Sequence, residues 1–187
     1  MKISEKIVLS VPPDLKFTST VENFVDVILP HFNVENSLSL SNQLRLALNE
    51  AFVNVIHHSP ETLYELVEII FEIDKLKLLI HFRDKGKGIQ IQGHFPPYPN
   101  DFKNTTHKIL ETIDGEVVAY VEDSNTLRLD FNEYNIDEID PQKLLEKAKE
   151  GGMGLSLIIK LMDRVRFVFE TGKGNCLEIT KILETER

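Results

Sequence analysis

Three polar side chains recur at four-residue intervals along an otherwise apolar segment. Glu50, Asn54 and His58 fall at i, i+4 and i+8 within residues 44–58, where most other positions are Leu, Ala, Phe, Val or Ile. Residues four apart lie on one side of an α-helix, so the three form a single polar stripe. A buried carboxylate or carboxamide costs free energy unless it is paired. The stripe is therefore either a ligand site or the solvent-facing side of an amphipathic helix, and His58 also suits contact with the last helical carbonyls.

A glycine-rich turn follows the apolar run at residues 76–82. It reads Asp84-Lys85-Gly86-Lys87-Gly88-Ile89. Glycine lets the backbone approach a planar ligand closely, and an aspartate at the end of a strand can accept a hydrogen bond from an amino group. Taken alone, the pattern is equally that of an ordinary turn.

A second glycine cluster, Gly151-Gly152-Met153-Gly154, precedes an apolar segment at residues 155–162. A glycine loop that leads into a helix offers unpaired N–H groups and the positive end of the helix dipole, which suits a phosphate. The cluster lacks the Lys-Ser/Thr ending of a Walker loop and the G-x-G-x-x-G spacing of a dinucleotide fold. Alone, it too is compatible with a plain loop.

Apolar runs and turn signals predict the elements that position these residues. Strands are predicted where β-branched and aromatic residues cluster, and helices where apolar residues recur every three to four positions. The predicted strands are residues 7–11, 63–73, 76–82, 116–122, 126–133, 165–170 and 176–183, and the predicted helices lie within 15–32 and over 41–58, 141–149 and 155–162. This order predicts one α/β domain over residues 1–187, a two-layer sandwich with helices on one face of a mixed, mostly antiparallel sheet.

Composition excludes several classes of function. Thirty acidic and twenty-one basic residues give a net charge of −9 without a basic block, which argues against direct nucleic-acid binding. The single cysteine, Cys176, excludes a disulfide framework and a metal site built from cysteines. No apolar run approaches the roughly 20 residues that cross a bilayer, and residues 1–6 lack the apolar core of a secretory signal. We therefore expect a cytoplasmic protein without membrane contact.

The three motifs occur in an order that resembles the asparagine box and the two glycine boxes of the Bergerat-fold (GHKL) ATPases. The matching segments are NEAFVNVIHHS at residues 49–59, Asp84 to Ile89, and GGMGLSLIIKLMDRV at residues 151–165. The resemblance covers about residues 41–183 and is strongest to the anti-sigma factor serine/threonine kinases. It implies the Bergerat fold, with ATP and Mg²⁺ as cofactors.

The resemblance also implies a role for each matching residue. Asn54 would bind Mg²⁺ and Glu50 would be the base that receives the proton of the attacking hydroxyl. Asp84 would accept a hydrogen bond from the adenine amine, beside the ring-accommodating glycines of the first box. The other implied nucleotide-binding residues are His58, Gly86, Gly88, Ile89, Gly152, Met153, Gly154 and Leu155, with Lys149 or Lys147 as the cation that neutralises phosphate.

Two features depart from the anti-sigma branch. The connection from Ile89 to Gly152 is long where that branch usually has a short lid, and the closing hairpin reads Gly174-Asn175-Cys176 where many relatives have Gly-Thr. Residues 90–150 are therefore predicted to be an insert whose last part orders over ATP. The strand-like pair at 116–122 and 126–133, with the acidic run Asp137, Glu138 and Asp140 after it, is predicted to form a structured lobe with an acidic face. Its hairpin is predicted to contribute to partner binding.

Three functions remain open at this stage. The first is a Mg-ATP-dependent serine/threonine protein kinase that phosphorylates a STAS-domain anti-anti-sigma protein, with a sigma factor as a further partner and a homodimer as a further assembly. The second is a regulatory module in which ATP only tunes partner affinity. The third is a detached histidine kinase catalytic domain, which the lack of a preceding dimerisation helix pair makes the weakest.

Overall fold

The computed structural model describes residues 5–31, 37–58, 66–74, 76–135 and 153–183. Their strands form an eight-stranded sheet in the order β1-β2-β3-β8-β7-β6-β5-β4. The strands are β1 (Glu5–Val11), β2 (Val67–Ile73), β3 (Lys77–Asp84), β4 (Thr106–Glu111), β5 (Gly115–Asp123), β6 (Thr126–Glu133), β7 (Arg164–Glu170) and β8 (Gly174–Ile182).

The α/β fold predicted from the sequence is confirmed, with one correction to the sheet. Every pairing between the described strands is antiparallel, so the sheet is not mixed. Short connections explain much of this, because β2–β3, β5–β6 and β7–β8 are hairpins and a tight turn can join only antiparallel neighbours. The predicted edge position of the first strand is also correct, since β1 pairs with β2 alone.

The helices differ from the predicted ranges mainly at their starts. They are α1 (Thr18–Asn23), α2 (Val25–Ile28), α3 (Ser37–His58) and α4 (Met153–Leu161). The predicted helical segment at 15–32 is divided into α1, α2 and two flanking 3₁₀ turns; the second contains Pro30, which cannot donate to a helical ladder. The long helix begins four residues earlier than predicted. The predicted helix at 141–149 lies outside the described residues.

The main core lies between the helices and one face of the sheet. Alternate residues of β3, namely Leu78, Ile80 and Phe82, are buried in the same cluster as Leu44 and Phe52 of α3. Strand alternation sends the residues between them to the opposite face. That face carries polar side chains instead, with His81 and Arg83 each lying close to two carboxylates.

Residues 106–133 of the predicted insert supply three strands of this sheet, β4, β5 and β6, and the partner-binding role of the β5–β6 hairpin stays a prediction. The two predicted strands are present as β5 and β6, and β6 pairs directly with β7. Ala119 and Val121 of β5 and Leu127 and Leu129 of β6 belong to the main hydrophobic core. The predicted insert also contains β4, a strand that the sequence did not predict. The part of the insert nearest Gly151 lies outside the described residues.

Helix length and hydrophobicity also bear on membrane insertion. Within the part of the chain that the structure describes, no helix is both long enough and apolar enough to cross a bilayer.

Candidate functional site

Helix α3 connects the two ends of the candidate site. Its polar stripe is graded in exposure, since Glu50 and Asn54 are half-buried and the side chain of His58 is exposed. Eight residues separate Glu50 from His58, which at about 1.5 Å per residue is about 12 Å along the axis. The helix can therefore contact one ligand at two distant points.

The middle of α3 meets the first turn of α4 through Glu50 and Gly154. A side-chain carbon at Gly154 would lie 3.3 Å from Cδ of Glu50 and in steric conflict with the Oε2 atom. Glycine at this position is thus what allows the carboxylate to reach the start of α4. The N-terminus of a helix has free N–H groups and a positive partial charge, which attract anions. The contact places the proposed base beside a helix end suited to phosphate.

The first glycine turn is organised around the carboxylate of Asp84. Its Oδ1 atom accepts hydrogen bonds from the Gly86 amide at 2.6 Å and from Nδ2 of Asn175 at 3.0 Å. Nδ2 of Asn175 also donates to the Gly86 carbonyl at 2.7 Å. Both hydrogen bonds that the described residues donate to this carboxylate use Oδ1, which leaves the Oδ2 atom of Asp84 for an amino group of a ligand.

The orientation of the Asn175 amide follows from these acceptors. Reversing the amide would place its oxygen against two other oxygens, so Nδ2 must face Asp84 and Gly86. The Oδ1 atom is then left buried and without a hydrogen-bond partner among the described residues. Buried polar atoms are nearly always paired in native proteins, so an orphaned acceptor in a site indicates a missing donor. An amino group on a planar ligand would supply that donor.

Gly88 is a closely packed position of the first glycine turn. Its φ of +85° belongs to the left-handed region that favours glycine. A side-chain carbon here would lie 3.0 Å from Asn175 Oδ1, 3.0 Å from Phe167 Cζ and 3.1 Å from Pro96 Cγ. The turn therefore requires glycine here, and its backbone runs beside the orphaned acceptor of Asn175.

The end of α3 closes the other side of this turn. A side-chain carbon at Gly86 would lie 3.0 Å from the backbone oxygen of His58, so the turn packs against the C-terminus of the helix. The group of His58 that meets the turn is its carbonyl, and the nucleotide-binding role of its side chain stays a prediction. The C-terminal half of α3 therefore contacts both parts of the site: its end meets the first glycine turn, and Glu50, two turns earlier, meets the start of α4.

Two site residues carried no signal in the sequence. The hydroxyl of Tyr98 donates to the carbonyl of Ile89 at 2.7 Å and anchors the end of the first glycine turn. Tyr98 is 2% exposed, and burial raises the pKa of its phenol, which keeps the hydroxyl a donor. Phe167 reaches Gly88 from β7, where its alternation indicated only a core position. Neither contact follows from local sequence, because both join residues brought together by the sheet.

The second glycine box is only partly described. Met153 is exposed and Leu155 is half-buried. The hydroxyl of the buried Ser156 donates a hydrogen bond to the Met153 carbonyl at 2.8 Å. Gly152, Lys147 and Lys149 lie outside the described residues. The structure therefore brings together two groups, Asp84 to Ile89 with Asn175, and Glu50 with Gly154.

Comparison with known proteins identifies the family. A family model described as a histidine kinase-like ATPase domain matches residues 11–181, which is most of the chain. No match is found among the curated proteins. The matched range includes the polar stripe of α3, the glycine turn after β3 and the start of α4. The chain belongs to the family of histidine kinase-like ATPase domains.

Proposed function

We propose that this protein is a Mg-ATP-dependent serine/threonine kinase of the anti-sigma type, acting on a STAS-domain protein. The family supports the coarser part of this proposal, an ATP-binding, kinase-like regulatory module. The finer part depends mainly on one observation, the packing of the Glu50 carboxylate against Gly154 at the start of α4. That contact puts a proton acceptor next to the helix end suited to the ATP phosphates.

Adenine recognition would depend on the turn after β3. The exocyclic amine would donate to Oδ2 of Asp84 and to the orphaned Oδ1 of Asn175, while the ring passes over Gly88. Both acceptors are fixed before binding, because Asn175 is 2% exposed and its other amide atom is already hydrogen-bonded. A guanine would present a carbonyl oxygen where adenine presents its amine. We therefore expect ATP to be preferred over GTP.

Phosphoryl transfer would take place beside Glu50. The carboxylate removes the proton from the serine hydroxyl, the serine oxygen forms a bond to the γ-phosphorus, and the bond from that phosphorus to the bridging oxygen of ADP breaks. Such transfer needs positioning and charge neutralisation rather than covalent chemistry from the enzyme. Asn54, one helical turn beyond Glu50, would hold Mg²⁺, which neutralises phosphate charge when bound. The amide of Asn54 is a hard oxygen donor of the type that this ion accepts.

The proposal is tested by phosphoryl transfer from labelled ATP to STAS-domain proteins encoded near this gene. Glu50→Gln keeps the size and polarity of the side chain but removes the proton acceptor. Loss of a general base typically lowers a rate by about 10²–10⁴-fold. We expect phosphoserine with the parent protein, a loss of that size in the variant, and little change in ATP affinity. Glu5→Gln, at an exposed carboxylate at the start of β1, is the matched control.

Two outcomes would change the assignment. Equal transfer by Glu50→Gln and the parent would remove Glu50 from the mechanism. If neither protein transferred phosphate while ATP still altered the affinity for a STAS-domain protein or a sigma factor, the second function, a regulatory module without kinase activity, would replace the first.

A further inference from the structure

We propose that His81, Cys176 and Glu178 form a binding site for zinc or a similar metal ion on the face of the sheet opposite α3. His81 lies on β3, and the other two lie on the neighbouring strand β8. His81 is paired directly with Glu178 and Cys176 is two residues away on the same face. One ligand atom from each side chain lies within 4.8 Å of the other two. This cluster is on the opposite face from α3 and is separate from the nucleotide site.

Two of the three distances between ligand atoms are close to those around a tetrahedral ion. Nδ1 of His81 lies 3.6 Å from Sγ of Cys176 and 3.7 Å from Oε1 of Glu178. Zinc binds thiolate sulfur at about 2.3 Å and imidazole nitrogen or carboxylate oxygen at about 2.0–2.2 Å. At tetrahedral angles these lengths place neighbouring ligand atoms about 3.4–3.6 Å apart. An ion can therefore bind with small movements of the three side chains.

Charged side chains lie close to two of the ligands. The second ring nitrogen of His81, Nε2, has no hydrogen-bond partner among the residues that the structure covers, and it lies 3.8 Å from Oε1 of Glu72. A metal-bound histidine usually donates its other N–H to a carboxylate, which fixes the tautomer, and a small movement of Glu72 would provide that partner. The second oxygen of Glu178, Oε2, faces Nη1 of Arg166 at 3.6 Å. Its first oxygen is thus left for the ion.

The donor set selects the class of metal. One sulfur, one imidazole nitrogen and one carboxylate oxygen suit zinc and similar soft or borderline transition-metal ions. They do not suit magnesium or calcium, which prefer oxygen ligands alone. Cys176 is 3% exposed and the His81 side chain 13% exposed, so the ion would be largely sheltered from water. Three protein ligands leave the fourth position open to water. The competing explanation is a simple ion pair between a protonated His81 and its carboxylate neighbours, and it needs no cysteine.

The site is tested on the full, untagged chain without nucleotide, titrated with ZnCl₂ and analysed for bound metal after gel filtration. We expect about one zinc per chain in the parent protein and none in Cys176→Ser or His81→Gln. His31→Gln removes an exposed histidine far from the cluster in sequence and is expected to keep the zinc. In the parent, zinc should raise the Tm and the same concentration of Mg²⁺ should not.

Cobalt provides a readout that does not depend on any variant. Co²⁺ at the same site should show a sulfur-to-metal charge-transfer band together with the visible bands of tetrahedral cobalt. The proposal is overturned if the parent binds no zinc at micromolar concentration, if Cys176→Ser retains the full stoichiometry, or if bound cobalt lacks the charge-transfer band. Should Cys176→Ser fail to fold, His81→Gln and the cobalt spectrum of the parent decide between the metal site and the ion pair.

Discussion

Gly154 offers a perturbation that separates the position of Glu50 from the stability of the fold. In Gly154→Ala, the new methyl group would lie 3.3 Å from Cδ of Glu50 and in conflict with its Oε2 atom. The conflicting atom is the far end of a flexible side chain, so the carboxylate can rotate away while both helices stay in place. The variant therefore tests whether the location of that carboxylate matters for transfer.

The expected energies differ greatly between stability and rate. Alanine favours a helix interior over glycine by about 0.8–1.0 kcal/mol. Moving the carboxylate away from the start of α4 forfeits about 0.3–1 kcal/mol of helix-dipole interaction. These effects nearly cancel, so we expect the free energy of unfolding to change by less than about 1 kcal/mol. Loss of the base should lower transfer by about 10²–10⁴-fold, which is about 2.7–5.4 kcal/mol in the barrier.

A double-mutant cycle identifies the cause of the lost rate. The assay is the single-turnover rate of phosphoryl transfer at saturating ATP, with urea unfolding as the measure of stability. If Gly154→Ala acts by displacing Glu50, adding it to Glu50→Gln should produce little further loss, because the two changes remove the same interaction. Independent effects would instead multiply to about 10⁴–10⁸-fold. A multiplied loss, or transfer at the parent rate in Gly154→Ala, would refute the reasoning.

Three further predictions concern the metal, the core and the cysteine. Asn54→Ala should remove most of the increase in ATP affinity that Mg²⁺ produces. The affinity for Mg-ATP should fall about tenfold or more, because the side chain loses its contact with a charged ion, and calorimetry with and without Mg²⁺ measures the difference. Leu127→Ala, at a fully buried site on β6, should lower the free energy of unfolding by about 2–5 kcal/mol, whereas Leu38→Ala, at a 75% exposed site, should change it by about 0.5 kcal/mol or less. An effect at Leu127 as small as that at Leu38 would show that β6 is not part of the core. Burial raises the pKa of the Cys176 thiol to about 12, so in chelator at pH 8 iodoacetamide should modify it at least about tenfold more slowly than in urea. The raised pKa also makes the free energy of unfolding depend on pH. The stability that the buried neutral thiol contributes is complete below the unfolded pKa near 9 and is lost as the pH rises towards 12. Cys176→Ser should not show this decline.

Local periodicity was sufficient to predict the elements that carry the site. The stripe of α3 and the hairpin of β2 and β3 follow from spacing and turn residues, and both are present. The start of α3 was placed too late because the serines at its beginning favour caps over helix interiors. Burial of Leu40 against the core overrides that local preference.

Long-range pairing was not predictable in the same way. The strands β5 and β6 were expected, but their place in the main sheet depends on the pairing of β6 with β7 across residues 134–163. The missed strand β4 contains a register shift between Lys108 and Leu110, which interrupts the alternation that indicates a strand. The contact of Glu50 with Gly154 joins residues about a hundred positions apart, and no local pattern indicates it.

The central claim is that Asp84 and its partners form the adenine site, and one calorimetric comparison tests it most directly. Asp84→Asn can keep the bonds to Gly86 and Asn175 through its oxygen, but it presents an amide donor to the adenine amine. A mismatched buried pair costs about 1–3 kcal/mol, so the affinity for Mg-ATP should fall about 5- to 150-fold, with a relative gain for Mg-GTP. Asp101→Asn, at an exposed aspartate, should bind ATP like the parent. Equal ATP affinities in Asp84→Asn and the parent would contradict the account.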